Sequence, residues 1–205
     1  MEPTTTPVVD ARFCSPDATV FTVTRTPGSW PRRDLTVTDA GGTTVMQAEV
    51  VSRFASPSHS LLHDAASGYP VLTVKRRRSL LAIGRRWDAF RGHSSSPTDL
   101  LFAAVAMPGL FVRGDVHVYL GAGGPSERHP DLVVVRRRYY GRESTVYRAG
   151  ATVAQVHRKL QTVEYDVRVN AGVDHVRVNA GVDHAFLFAL TVILEEIRVD
   201  DIKKQ

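Results

Sequence analysis

The sequence predicts a mainly β protein whose antiparallel sheet closes around one C-terminal helix. Three observations carry this. Up to about residue 169 the chain is a succession of short alternating runs broken by Gly, Pro and Asp, the pattern of a sandwich or barrel. Residues 185–197 abandon alternation and are apolar around nearly the whole helical wheel. That helix also has the height of a strand: at about 1.5 Å rise per residue it spans roughly 20 Å, and a strand is typically about 17–20 Å long.

The strands follow in order. TVFTVT at 19–24 alternates. In LTVTDAGGTTVMQAEV at 35–50, Asp-Ala-Gly-Gly separates two β-branched runs and reads as a hairpin. PVLTVK, DVHVYL and DLVVVR, beginning at Pro70, Asp115 and Asp131, repeat the pattern. STVYRAGATVAQVHR makes a second hairpin that turns at Ala149-Gly150. About a dozen strands fit before residue 170. In the helix, Phe186, Leu187, Phe188, Leu190, Val192, Ile193 and Leu194 are interrupted only by Thr191 and alanines, and Asp183 stands where an N-cap belongs. A helix that is apolar all round must be buried all round. A helix covering the end of a sandwich would keep a polar side, which this one lacks.

Between strands and helix lies VRVNAGVDH, written twice without change at 167–175 and 176–184. Nine is odd, so both copies cannot continue one strand with the same face buried. One copy is expected to pair and the other to loop out, carrying Asp174 and His175 into the loop while Asp183 and His184 keep the helix junction. Removing residues 167–175 is then expected to leave the fold intact or steadier. A metal site built from Asp174, His175, Asp183 and His184 has no further ligand spacing to support it.

The 205 residues suit one domain, expected over 11–200 with tails at 1–10 and 201–205. A single cysteine, Cys14, excludes a disulfide framework and a cysteine-built zinc site. No secretory or lipidation signal is read, so an intracellular chain is expected, cytoplasmic or membrane-peripheral, with the nucleus as the alternative. The longest apolar run, 185–194, is too short to span a bilayer. Catalytic motifs do not emerge. GAGGPSE at 121–127 lacks the third glycine of a dinucleotide loop, and the histidines are scattered without metal-ligand or triad spacing. No enzyme activity, cofactor or metal is expected. Trp87 and Phe90 read as packing residues.

The formal net charge of +5 favours anionic partners. Lys75, Arg76, Arg77 and Arg78 form one basic run, Arg85, Arg86 and Arg91 flank Trp87, and Arg136, Arg137 and Arg138 precede Tyr139 and Tyr140. Such runs are ordinarily solvated strand ends. The functional alternative is a surface for anionic phospholipid headgroups made by Lys75, Arg76, Arg77, Arg78, Arg85 and Arg86. Nucleic acid ranks lower, because no recognition helix or RNA-binding signature is present.

Several segments together resemble the LURP-one-related family of plants: LTVTDAGGTTVMQAEV, LLHDAASGYPVLTVKRRRSLLAIGRRWDAFRG, DLLF, VAQVHRKL and VNAGVDHAFLFALTVILEEI. RRWDAFRG and VDHAFLFALTVILEEI are the most specific, and the order is kept over nearly the whole chain. The resemblance implies the tubby C-terminal and phospholipid-scramblase fold, a closed barrel of about twelve strands around a hydrophobic helix at about 185–197. It also implies a non-enzymatic protein, structurally akin to scramblases and tubby-type factors, with links to plant defence and phosphoinositide binding. No lipid-ligand motif carries over position by position. A scramblase would need a calcium loop or spanning helix, and neither is read here. A protein-binding or nuclear regulatory scaffold without a lipid role is the competing reading. The family pattern has one helix junction without the extra nine residues, so the repeat reads as a tandem duplication.

Overall fold

The computed structural model describes residues 6–25, 34–50, 59–77, 84–108, 114–121, 129–136, 143–159 and 173–202. Within these, twelve strands pair in sequence order and antiparallel throughout: β1 (Thr19–Arg25), β2 (Leu35–Thr38), β3 (Thr44–Val50), β4 (His59–Asp64), β5 (Pro70–Arg77), β6 (Arg85–Arg91), β7 (Leu100–Ala106), β8 (Val116–Leu120), β9 (Leu132–Arg136), β10 (Glu143–Arg148), β11 (Ala151–Lys159) and β12 (Val173–Val178). β12 returns to β1 and closes the barrel, which leaves no free sheet edge.

Local chemistry sets the turns. Asp39 accepts from the amides of Gly41 and Thr43, each at 2.9 Å, and joins β2 to β3. Between β10 and β11, Ala149 and Gly150 both take positive φ, 48° and 80°, the turn that matches strand twist. Ala149 bears the strain of a Cβ in that region, and asparagine tolerates it better. Ala149→Asn is therefore expected to raise unfolding free energy by about 0.5–1 kcal/mol in urea titration. Gly84 is required: a Cβ there would stand 2.7 Å from the Ala106 carbonyl oxygen.

Inside the barrel runs α1 (His184–Ile202). Every residue from Ala185 to Ile193 is buried, as is Ile197. Phe188 meets Phe21 of β1 edge-on at 5.0 Å, and Phe186 meets Phe102 of β7 in the same way at 5.0 Å. Each buried phenylalanine contributes about 1.5–3 kcal/mol by leaving water. The Thr191 hydroxyl donates to the Leu187 carbonyl at 2.9 Å, so the one polar side chain in the apolar stretch is satisfied.

At the helix entrance, Asp183 Oδ1 accepts from the Phe186 amide at 3.1 Å. Its Oδ2 accepts from the amides of Val9 and Asp10 at 2.7 and 3.2 Å. Val9 and Asp10, assigned to the tail in the sequence reading, are thus tied to the helix, and Val9 is buried. At the other end α1 continues five residues past the expected stop at Ile197. The added turn is polar and is held by cations on the strand ends.

The repeat departs from expectation. Asp174 and His175 do not loop out. β12 takes Val173, Asp174 and His175 from the first copy and Val176, Arg177 and Val178 from the second, all paired with β1 and β11. Strand parity explains the choice: Val176 and Val178 fill the core, so Asp174 shares their inward face and His175 faces out. With one copy, the Val-Arg-Val triplet would be preceded by Tyr165 and Asp166. Deleting residues 167–175 would therefore exchange inward Asp174 for tyrosine and outward His175 for aspartate. The rest of the first copy, 167–172, lies outside the described residues.

Candidate functional site

The basic run is divided by the pleat of β5. Leu72 and Val74 face the core, so Arg76 points inward, while Lys75 and Arg77 point outward. Across the ladder Lys75 faces Asp88, Arg76 faces Trp87 and Arg77 faces Arg86. The same alternation on β6 turns Arg85 inward with Trp87 and turns Arg86 outward with Asp88.

The inward cations close one rim of the barrel around the end of α1. Arg76 lies 2.9 Å from Asp200, and Arg85 bridges Asp200 and Asp201 at 3.3 and 2.9 Å. Arg136 from β9 reaches Asp201 at 3.0 Å. On the far side Glu195 is met by Arg25 from β1, by Arg158 from β11 at 2.8 Å and by Arg198 of its own helix at 2.7 Å. Asp174 adds a second carboxylate to Arg158, 2.9 Å from its Nε. Between the two groups Glu196 accepts from the Trp87 indole at 2.7 Å and from the Ser60 hydroxyl at 3.3 Å.

The charges respond to this packing. Burial alone would raise Glu195, but the Arg198 hydrogen bond and the charges of Arg25, Arg198 and Arg158 outweigh it and hold its carboxyl below the usual range. Asp201 behaves alike: burial raises it, and the hydrogen bonds from Arg136 and Arg85 bring it down. Burial lowers Arg25 to about 10, although Glu195 pulls the other way. Asp174 is pushed up by burial, with Arg158 opposing and Glu195 adding to the rise. Depressed carboxyls stabilise the fold above their unfolded values and lose that contribution as pH falls through their folded values. The melting temperature is accordingly expected to fall on acidification below about pH 4.5, where the unfolded chain begins to take up protons that Glu195 and Asp201 resist in the fold. Raised Asp174 works in the opposite sense, so Asp174→Asn should steepen the acid loss measured by circular dichroism between pH 5 and 3.

The outward cations form a separate group. Arg77 donates through Nε to Asp88 Oδ2 at 2.5 Å, and Arg86 through Nε to Asp88 Oδ1 at 2.7 Å. Asp88 is buried beneath them at 1% exposure, whereas the Arg77 side chain is 61% exposed. Nε bonding fixes each guanidinium and leaves its terminal nitrogens for an external acceptor. The Lys75 ammonium rests 5.9 Å from the Phe90 ring centroid. Of the six cations singled out from sequence, Lys75, Arg77 and Arg86 share this outer face, Arg76 and Arg85 belong to the inner rim, and Arg78 lies outside the described residues. Sequence reading missed Asp88 as their orienting partner. It also missed Glu195, Glu196, Asp200 and Asp201 as partners of the rim. The available signal was four acids at the end of a helix that is otherwise apolar on every side.

The remaining candidates disperse. Asp174 faces inward and His175 outward. Asp183 caps α1, and His184 packs among Phe13, Phe21 and Phe188 at 5.4, 5.1 and 5.5 Å. Among the described residues no group of three or more His, Cys, Asp or Glu side chains is arranged to hold a metal ion. Burial pushes the Cys14 thiol up, as do Asp183 and Asp10, the reverse of an activated nucleophile. Residues 122–127 of the glycine-rich stretch and the 137–140 part of the third basic cluster lie outside the described residues. Among the described residues no helix is long and apolar enough to cross a membrane.

This closed barrel threaded by its C-terminal helix has counterparts. The sequence model of one family, LURP-one-related, matches residues 19–195. The chain belongs to the LURP-one-related family. Among relatives of this LURP-one-related chain, Protein LURP-one-related 15 of Arabidopsis thaliana is 31% identical over 203 residues, which covers 95% of this chain and 87% of that one. An X-ray structure of an Arabidopsis thaliana protein superposes with a TM-score of 0.66 at 27% identity, covering 93% of this chain and 98% of the other.

Proposed function

We propose that this LURP-one-related chain is a non-catalytic module that docks on anionic phospholipid headgroups through Lys75, Arg77 and Arg86. The observation that carries the reading is the sorting of the basic run. Arg76 and Arg85 are neutralised inside the rim, whereas Arg77 and Arg86 are held by Asp88 with their terminal nitrogens left over. Cations near an acidic membrane contribute about 1 kcal/mol each. With Asp88 offsetting one charge, the face is worth about 2 kcal/mol, roughly 30-fold in affinity. The non-catalytic part of the reading is supported by the burial of α1 inside the barrel and by the apolar lining of a small void among the described residues, beside Phe188 and Val192. The link to plant defence that the resemblance implies belongs to the same proposal, as a role at a membrane surface.

Co-sedimentation tests it with neutral phosphatidylcholine vesicles and vesicles carrying phosphatidylinositol bisphosphate. Binding is expected only to the acidic vesicles, and is expected to be lost in Lys75→Ala/Arg77→Ala/Arg86→Ala and kept in Arg177→Ala, an outward cation on β12. Equal loss in Arg177→Ala would reduce the effect to overall charge. Protein that stays in the supernatant with both vesicles defeats the reading and turns the search to a protein partner.

A further inference from the structure

The outer face at the helix-exit rim carries a row of side chains that no part of the lipid reading uses. Glu143 of β10 opposes His157 of β11, His157 opposes His175 of β12, and His175 opposes Thr22 of β1. All four point away from the core, because their strand neighbours Val156, Val176 and Phe21 point into it. Directly opposed residues on neighbouring strands hold their Cβ atoms about 4.5–5.5 Å apart. Two imidazoles therefore stand side by side on the surface, and His157 is 56% exposed.

Each has a polar neighbour on its outer flank. His157 Nδ1 lies 3.5 Å from Glu143 Oε1, on the β10 side. His175 Nδ1 lies 3.4 Å from the Thr22 hydroxyl, on the β1 side. Each ring thus engages its outer flank through Nδ1, which leaves the two Nε2 atoms as the nitrogens available to a shared ligand. A metal-bound histidine characteristically gives its second nitrogen to a carboxylate or another polar group, which fixes ring and tautomer. Here that outer arrangement exists on both sides of a pair whose two Nε2 atoms have no partner among the described residues.

We propose that His157 and His175 bind a divalent transition cation of the Zn²⁺, Ni²⁺ and Cu²⁺ class through their Nε2 atoms. Neutral imidazole suits these metals, and Zn–N bonds of about 2.0–2.1 Å bridge neighbouring strands readily. Water fills the remaining coordination positions, and Glu143 and Thr22 position the rings. The site owes its second imidazole to the repeat, since a single copy of VRVNAGVDH would set Asp166 where His175 stands. The cation would staple β11 to β12.

Calorimetric titration of the chelator-treated full chain with ZnCl₂ tests this, alongside His157→Ala, His175→Ala, the double variant and Thr22→Val. One Zn²⁺ per chain is expected, with a higher melting temperature when bound. Each single histidine variant should weaken binding at least tenfold, and the double variant should abolish it. Thr22→Val should weaken it several-fold at unchanged stoichiometry, as loss of a positioning partner does. Imidazole nitrogen resonances should identify Nε2 as the metal-bound nitrogen and Nδ1 as the protonated one. Both histidines face solvent, so denaturation without Zn²⁺ should find the variants as stable as the parent. No stoichiometric binding to the parent, undiminished binding in the double variant, or coordination through Nδ1 would each overturn the assignment.

Discussion

Glu195→Ala is expected to lower the unfolding free energy of the barrel by about 3–5 kcal/mol. The Glu195 carboxylate is the shared partner of Arg25, Arg158 and Arg198, and its side chain is only 11% exposed. Removing it leaves three guanidiniums crowded at a half-buried rim with Asp174 as the remaining anion nearby. Their solvation is already curtailed, since the side chains of Arg158 and Arg25 are 10% and 14% exposed. The cost is therefore that of uncompensated buried charge, not that of a surface ion pair, which is worth about 0–1 kcal/mol. Glu195→Gln keeps the volume and one acceptor and should lose part of this. Urea titrations of the two variants measure it, and a loss below 1 kcal/mol for Glu195→Ala would mean that the rim relaxes and rehydrates its arginines.

Asp183→Ala follows, with an expected loss of about 2–4 kcal/mol. Its side chain does two jobs. Oδ1 caps the helix at the Phe186 amide, and loss of an N-cap costs about 0.5–2 kcal/mol. Oδ2 satisfies the buried Val9 amide and the Asp10 amide, and a stranded buried donor costs about 1–3 kcal/mol. Asp183→Asn separates the two. Asparagine is also a good N-cap, but its amide offers one acceptor oxygen and presents an NH₂ where the second acceptor stood. Its loss should fall near half that of alanine. Hydrogen exchange at Val9 and Phe186 reports the two jobs individually, and unchanged protection of Val9 in Asp183→Ala would show that the N-terminal segment is held by something else. The Arg91 guanidinium, which donates to the Val9 carbonyl at 3.0 Å, is the first alternative.

Much of the architecture was legible residue by residue. Phe186 to Leu194 left no polar side for solvent, and burial of that whole circumference demands closure of the sheet. Asp183 was legible as the cap from its place before the apolar run. Even the division of the basic run was present in principle, because Leu72, Val74 and Arg76 stand two apart and must share a face. It was overlooked because Lys75, Arg76, Arg77 and Arg78 read as one charged block.

The repeat was not legible in the same way. Parity forbids both copies from lying in one strand, but it does not say where the strand begins. Val173, Asp174 and His175 belong to a strand because β1 and β11 offer partners for six residues, three more than Val176, Arg177 and Val178 supply. The excess is taken from whatever precedes them. Nor could sequence say that Glu195, Asp200 and Asp201 in the C-terminal half of the helix lie within a ring of arginines from five different strands.

The sequence by itself determined the fold class, several of the strands and two hairpin turns, the helix that fills the barrel and its cap. Each of these depends on residues within one turn or one strand of each other. Only the tertiary structure decided which charges meet: Glu195 with Arg25 and Arg158, Asp201 with Arg85 and Arg136, Asp88 with its two outward arginines, and His157 beside His175. Such meetings depend on strand register and on the rotation of the helix within the barrel. Those are fixed by the packing of the whole core, and no local pattern in the chain records them.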